Sequence, residues 1–111
     1  MFEAKYKSSY VNDTVYSKID DFWKWFEFNQ FDIESAIKAK RKEIVDVIEN
    51  ELRKVYVDAK RGVPFALAFK DEMYCFYLYY GRNSYLLTIG DTLMSSMPKN
   101  MKNTWKCIVC K

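Results

Sequence analysis

Apolar positions recur with two different periods along this chain. Phe2 to Lys7, "FEAKYK", alternates apolar and charged residues, and period two predicts a short half-buried strand. "SSYVND" supplies turn residues after it. Ser17 then opens "SKID", a Ser followed three residues later by an acid, which signals a helix running from about Lys18 to Asn29. That helix holds most of "DDFWKWFEFNQF", where six of twelve residues are aromatic. At about 100° per residue, Phe22, Trp25 and Phe26 cluster on one side, Trp23 and Phe28 flank them, and only Asp20, Lys24 and Glu27 form a polar strip. The pattern predicts a helix buried on most sides, with Phe22, Trp25 and Phe26 in the core and Trp105 packed near them.

The helical period continues beyond it. Asp32 can cap a second helix, and Ile33, Ile37, Ile44, Ile48, Leu52 and Val55 form one stripe. "KAKRK", Lys38 to Lys42, has no large apolar residue and reads either as a solvated part of one long helix or as a break between two. Gly62 terminates this region. Period and composition then change. "VPFALAFK" and "MYCFYLYY" are strand-like, and Asp71 and Glu72 between them predict a hairpin of Phe65–Lys70 with Met73–Tyr80. Asn83 or Ser84 caps a further helix with Leu86, Ile89, Leu93 and Met97 on one face. Gly90 inside it costs about 1 kcal/mol against Ala, and Pro98 marks its end. "TWKCIVC" forms a last strand.

The order β-α(α)-β-β-α-β predicts an α+β fold of ferredoxin-like type, with an antiparallel sheet and helices packed on one face. The 111 residues fit one domain spanning 1–111, long enough to bury a core without staples.

Composition narrows the function more than it defines it. No apolar run approaches the ~20 residues of a membrane span, and the first residues lack a signal-peptide core, so a cytoplasmic protein without membrane contact is expected. Histidine is absent, which removes the commonest general acid/base and metal ligand. Charge is uneven: residues 1–37 hold four Lys/Arg against seven Asp/Glu, residues 38–61 hold eight against five, and residues 62–111 hold six against three. The net +3 is a mild basic bias, short of a nucleic-acid footprint.

"FWKWF" (Phe22, Trp23, Trp25, Phe26), the turn "YGRN" (Gly81, Asn83) and "MPKNMKNTWKCIVCK" (Pro98, Trp105, Lys106) follow one another in order. In these stretches the chain resembles an uncharacterised bacterial domain family with an F-W-x-W-F helix, a G-x-N turn and a C-terminal P…W-K strand. The resemblance spans roughly Asp20 to the C-terminus, and Met97 departs from it where an Ala is usual. It implies an α+β domain and transfers no chemistry.

Candidate chemistry is sparse. Cys107 and Cys110 form C-x-x-C, but a zinc site needs a second ligand pair and only Cys75 remains. On a strand, residues three apart point to opposite faces, so one thiol is expected in the core and one outside. The carboxylates Glu43, Asp46 and Glu49 read as a solvated helix side. No phosphate-binding glycine motif is present, and no catalytic residue, metal site, cofactor or small-molecule substrate is expected. The sharper signal is "MYCFYLYY". Tyr74, Phe76, Leu78 and Tyr80 share one strand face, and Cys75, Tyr77 and Tyr79 the other. If helices cover the first face, Tyr77 and Tyr79 remain as binding residues. Lys38, Lys40, Arg41 and Lys42 are the candidate cations. The sequence favours a non-enzymatic protein-interaction domain, either self-associating as a homodimer or neutralising a toxin in the manner of an immunity protein. Single-stranded nucleic-acid binding through the aromatic sheet face is the alternative.

Overall fold

Asn12 starts the first helix: its side-chain oxygen accepts from the Val15 N–H at 3.0 Å, satisfying one of the unpaired donors of the first turn. The structure, a computed structural model, describes residues 10–111. The strand expected at Phe2–Lys7 lies outside the described residues. Helix α1 spans Asp13–Phe28 and therefore begins before the "SKID" signal. Asn is as good an N-cap as Ser, and the earlier start lets Val15 join Ile19 on the buried side. At the other end the Asn29 N–H and side-chain amide both donate to the Trp25 carbonyl, at 3.1 and 2.9 Å.

Helix α2 (Gln30–Lys38) and helix α3 (Glu43–Val55) are separate, so the Lys38–Lys42 stretch holds a break, over residues 39–42. Lys40 sits at φ 57°, with its N–H donating to the Ile37 carbonyl at 3.1 Å and the Arg41 N–H to the Ala36 carbonyl at 2.9 Å. This is a Schellman-type stop with lysine where glycine is favoured. Strands β1 (Phe65–Lys70) and β2 (Met73–Tyr79) form the expected hairpin. Its turn residues Asp71 and Glu72 have φ of 54° and 64°, the type I′ geometry that favours Asn-Gly. We expect Glu72→Gly to raise stability by about 1 kcal/mol, read as a higher urea midpoint with unchanged slope.

Asn83 caps helix α4 (Ser84–Ser95), its side-chain oxygen accepting from the Leu86 N–H at 3.1 Å. A short 3₁₀ turn, Lys99–Met101, leads to strand β3 (Trp105–Cys110). Gly90 has a packing reason: a Cβ there would lie 3.2 Å from the Tyr56 hydroxyl and 3.7 Å from both Leu78 and Val109. Glycine lets α4 settle close to the sheet.

The fold is α+β, but the expected antiparallel sheet is corrected. Strand order is β1-β2-β3, with β1–β2 antiparallel and β2–β3 parallel. The α4 crossover returns the chain to the starting end of the sheet, so β3 must run alongside β2 in the same direction. A ferredoxin-like order splits such a β-α-β unit with another strand. Here β2 and β3 pair directly, Tyr74 with Trp105 through Tyr79 with Cys110, and the described elements do not complete that order.

The helix contacts fall on one sheet face, as expected. Phe26 stacks on Phe76 at 6.2 Å between ring centroids and meets Trp105 edge-on at 4.9 Å. The Trp23 indole N–H donates to the Leu93 carbonyl at 2.8 Å, tying α1 to α4. Phe22, Phe26 and Trp105 are buried as expected, while Trp25 is half-buried against the core. Phe28, expected to flank the buried side, is a correction: it is 89% exposed, because it closes the helix and among the described residues nothing covers its side of the last turn.

Candidate interaction surface

The alternation of β2 separates two environments. Tyr74, Phe76 and Leu78 are buried beneath the helices. Their neighbours Cys75, Tyr77 and Tyr79 belong to the opposite face, where cross-strand register adds Ala66 and Ala68 from β1 and Ile108 and Cys110 from β3. Lys70 and Lys106 stand at strand positions of this same face and are exposed. Among the described residues no carboxylate occupies a strand position there. Tyr79 is exposed, Tyr77 half-exposed, and Cys75 buried. The neighbouring Cys75 side chain, and then desolvation, hold the Tyr77 phenol above its usual range.

The structure places the predicted cations elsewhere. Lys38 reaches over the helix-side rings of β1 and β2, its Nζ 4.8 Å from the Phe69 centroid and 5.9 Å from that of Tyr74. Lys40, Arg41 and Lys42 rim a groove that also contains Leu67, a helix-side residue of β1. The basic cluster and the Tyr77–Tyr79 rings are therefore not brought together. Lys106, which sequence reasoning passed over, is the cation of this face nearer the rings, and Lys70 stands at the far end of β1 opposite Met73. The signal lies in the cross-strand register, which the sequence alone does not give: Lys106 opposes Cys75, two positions from Tyr77.

The C-x-x-C thiols diverge, as strand geometry requires. Cys107 lies on the helix side with its Sγ 3.3 Å from the Met97 Sδ, and Cys110 lies on the open face opposite Tyr79. All three cysteines are free. Burial, and secondarily the nearby Cys75, push the Cys107 thiol up from 9.0 to about 12. Iodoacetamide at about pH 8 should therefore modify Cys110 well before Cys107, and peptide mass spectrometry reads the order directly. The same burial links stability to alkali. The unfolded thiol ionises near its ordinary value while the folded one stays protonated, so stability should fall as pH rises from about 9 toward 12. The buried Tyr56 phenol, raised chiefly by desolvation, acts in the same direction.

A groove of about 400 Å³ beside Asp58, Lys60 and Arg61 holds one carboxylate and two cations, with no nucleophile paired to a base among its lining residues. Among the described residues no helix is long and apolar enough to cross a membrane, and no three metal-ligating side chains converge. No protein-family model, no curated protein and no solved structure matches this chain. The geometry of the open sheet face thus stands as the main guide to function.

Proposed function

We propose that this chain is a non-enzymatic protein-binding domain that meets its partner through the open face of its sheet. The observation that carries this reading is the face built from Tyr77, Tyr79, Ile108 and Cys110, which holds no carboxylate at a strand position among the described residues, with the helix contacts on the other side. Tyrosine rings offer large contact area at small entropic cost and are frequent anchors of protein interfaces. An immunity-type role, in which the face blocks a toxin by direct contact, is one concrete form. The F-W-x-W-F resemblance agrees with a small α+β domain and adds no activity.

Lys106 near the rings and Lys70 at the far end of the same face favour a second reading, single-stranded nucleic-acid binding. Two lysines neutralise at most two phosphates, giving a salt slope of only about −1.4, which is the signature of weak association. Protein recognition therefore stays ahead.

The test compares what the wild type and Tyr77→Ser/Tyr79→Ser capture from a lysate of the source cells, after circular dichroism confirms both are folded. A partner retained by the wild type and weakened about a hundredfold by the double variant supports the reading. A partner that binds both equally overturns it. Salt-sensitive binding of mixed-sequence single-stranded RNA, lost on Lys70→Glu/Lys106→Glu, would put the second reading first.

A further inference from the structure

The outer edge of β1 presents backbone groups that the hairpin leaves unused. The Tyr79 N–H donates to the Pro64 carbonyl opposite it at 3.0 Å, so these two residues form a hydrogen-bonded pair of the ladder. Antiparallel alternation then turns the N–H and C=O groups of Ala66, Ala68 and Lys70 toward β2, and those of Phe65, Leu67 and Phe69 outward. β1 ends the strand order, and among the described residues no backbone hydrogen bond reaches these outward groups. Edge strands are usually blunted by proline, a bulge or charge; β1 carries only Lys70, at its end. Phe69 is 42% exposed at this edge.

A groove adjoins the middle of this edge. It measures about 260 Å³ and is walled by Ala36, Ile37, Ile44, Val45 and Leu67. It takes in β1 but no β2 residue among the described ones, so it lies toward the outer side of β1 on the helix face. An apolar cavity of ~150 Å³ already accepts benzene, so the groove has room for one leucine side chain. Lys40 and Lys42 stand on its rim, and among the described residues neither joins an ion pair. Arg41 is shared with a neighbouring pocket that also holds Asp32 and Glu43, which leaves the two lysines as the available cations.

We infer that the β1 edge takes up an extended acidic segment of a partner protein as an added antiparallel strand. An apolar side chain of that segment enters the groove, and carboxylates two residues to either side meet Lys40 and Lys42. The residue opposite Leu67 points to the same sheet face as Leu67, so its side chain stands beside the groove walls, about 5 Å from its cross-strand neighbour. Backbone pairing supplies the affinity, and the groove with its lysines supplies the choice of sequence. Charge selects this occupant over two others. A second copy paired β1 to β1 about a two-fold axis at Leu67 would bring both lysine rims together. The segment Phe2–Lys7 of this chain, strand-like by pattern, sets Lys5 and Lys7 against Glu3 alone and does not complement the rim. This edge is separate from the Tyr77–Tyr79 face, and its use does not rest on the open-face reading.

Fluorescence anisotropy with the labelled peptide Thr-Glu-Thr-Leu-Thr-Glu-Thr tests it, since alternation places its Glu, Leu and Glu on one face. The full chain should bind it saturably, and more weakly as salt rises. Lysine in place of both glutamates should weaken binding about tenfold or more. N-methylation of the central leucine, which removes the N–H aimed at Leu67, should do the same. Lys40→Glu/Lys42→Glu, shown folded by circular dichroism, should lose the acidic peptide and gain the lysine one. Tyr77→Ser/Tyr79→Ser should bind as the wild type does, which separates this edge from the open face. Absence of saturable binding, or equal binding of the N-methylated peptide, would overturn the proposal. Tighter binding of a peptide of residues 2–7 would reassign the edge to this chain's own segment. A dimer by light scattering that Phe69→Lys dissociates would reassign it to a second copy.

Discussion

Replacing Phe26 with alanine is expected to cost about 4 kcal/mol of stability. The ring is 0% exposed and sits where five others converge: Phe22 at 5.9 Å, Trp23 at 5.3 Å, Trp25 at 6.2 Å, Phe76 at 6.2 Å and Trp105 at 4.9 Å. Two of those rings come from strands and three from Phe26's own helix, so the void would open at the helix–sheet seam, where neither layer can close alone. The loss combines transfer of the ring to water with an unfilled cavity. Domains of this kind are typically stable by ~5–15 kcal/mol, so the variant gives up a large share of its margin. Urea unfolding followed by tryptophan fluorescence measures it. Phe26→Leu, which retains most of the volume, should lose about 1–2 kcal/mol. A cost below about 1 kcal/mol for alanine would mean that the aromatic cluster is not the seam of the fold.

Local chemistry made much of this architecture legible. The alternation in "MYCFYLYY" sorted Tyr74, Phe76 and Leu78 to the buried side, and Asp71-Glu72 marked the hairpin turn. Asn83 announced α4. These features depend on neighbours in sequence. Sheet pairing does not: whether β3 lies directly beside β2 depends on which strands compete for that edge, and no local pattern records it. The break at Lys40 was ambiguous for a related reason. Its stop signal lies in a backbone conformation usually flagged by glycine, and here lysine adopts it.

The misplacement of Phe28 is the most informative. Helical periodicity assigns faces on the assumption that the helix is covered along its whole length. It reports direction and cannot report where the covering elements stop. Phe28 points from the last turn of α1, where the chain bends away at Asn29, and so an aromatic of core type is left in solvent. Lys70 and Lys106 illustrate the converse. Each is ordinary as a surface lysine, and gains meaning only from cross-strand register with the residues around Tyr77.

Trp105→Ala is the second large effect, expected near the upper end of the ~3–5 kcal/mol range for a buried aromatic. The indole is 1% exposed, stacks against Tyr74 at 5.3 Å and supports Phe26 edge-on. It also donates its N–H to the Glu34 Oε2 at 2.7 Å, joining the start of β3 to α2. Trp105→Phe separates the two contributions, since it keeps most of the packing and removes the donor. Its cost should be about 1–2 kcal/mol, because Glu34 is only half-buried and still accepts from the Gln30 side chain at 2.9 Å. A double-mutant cycle with Glu34→Ala should then give a coupling of about 1 kcal/mol. Strict additivity would show that the indole contributes by volume alone. A coupling several times larger would show that Glu34 fixes the register of α2 on the sheet.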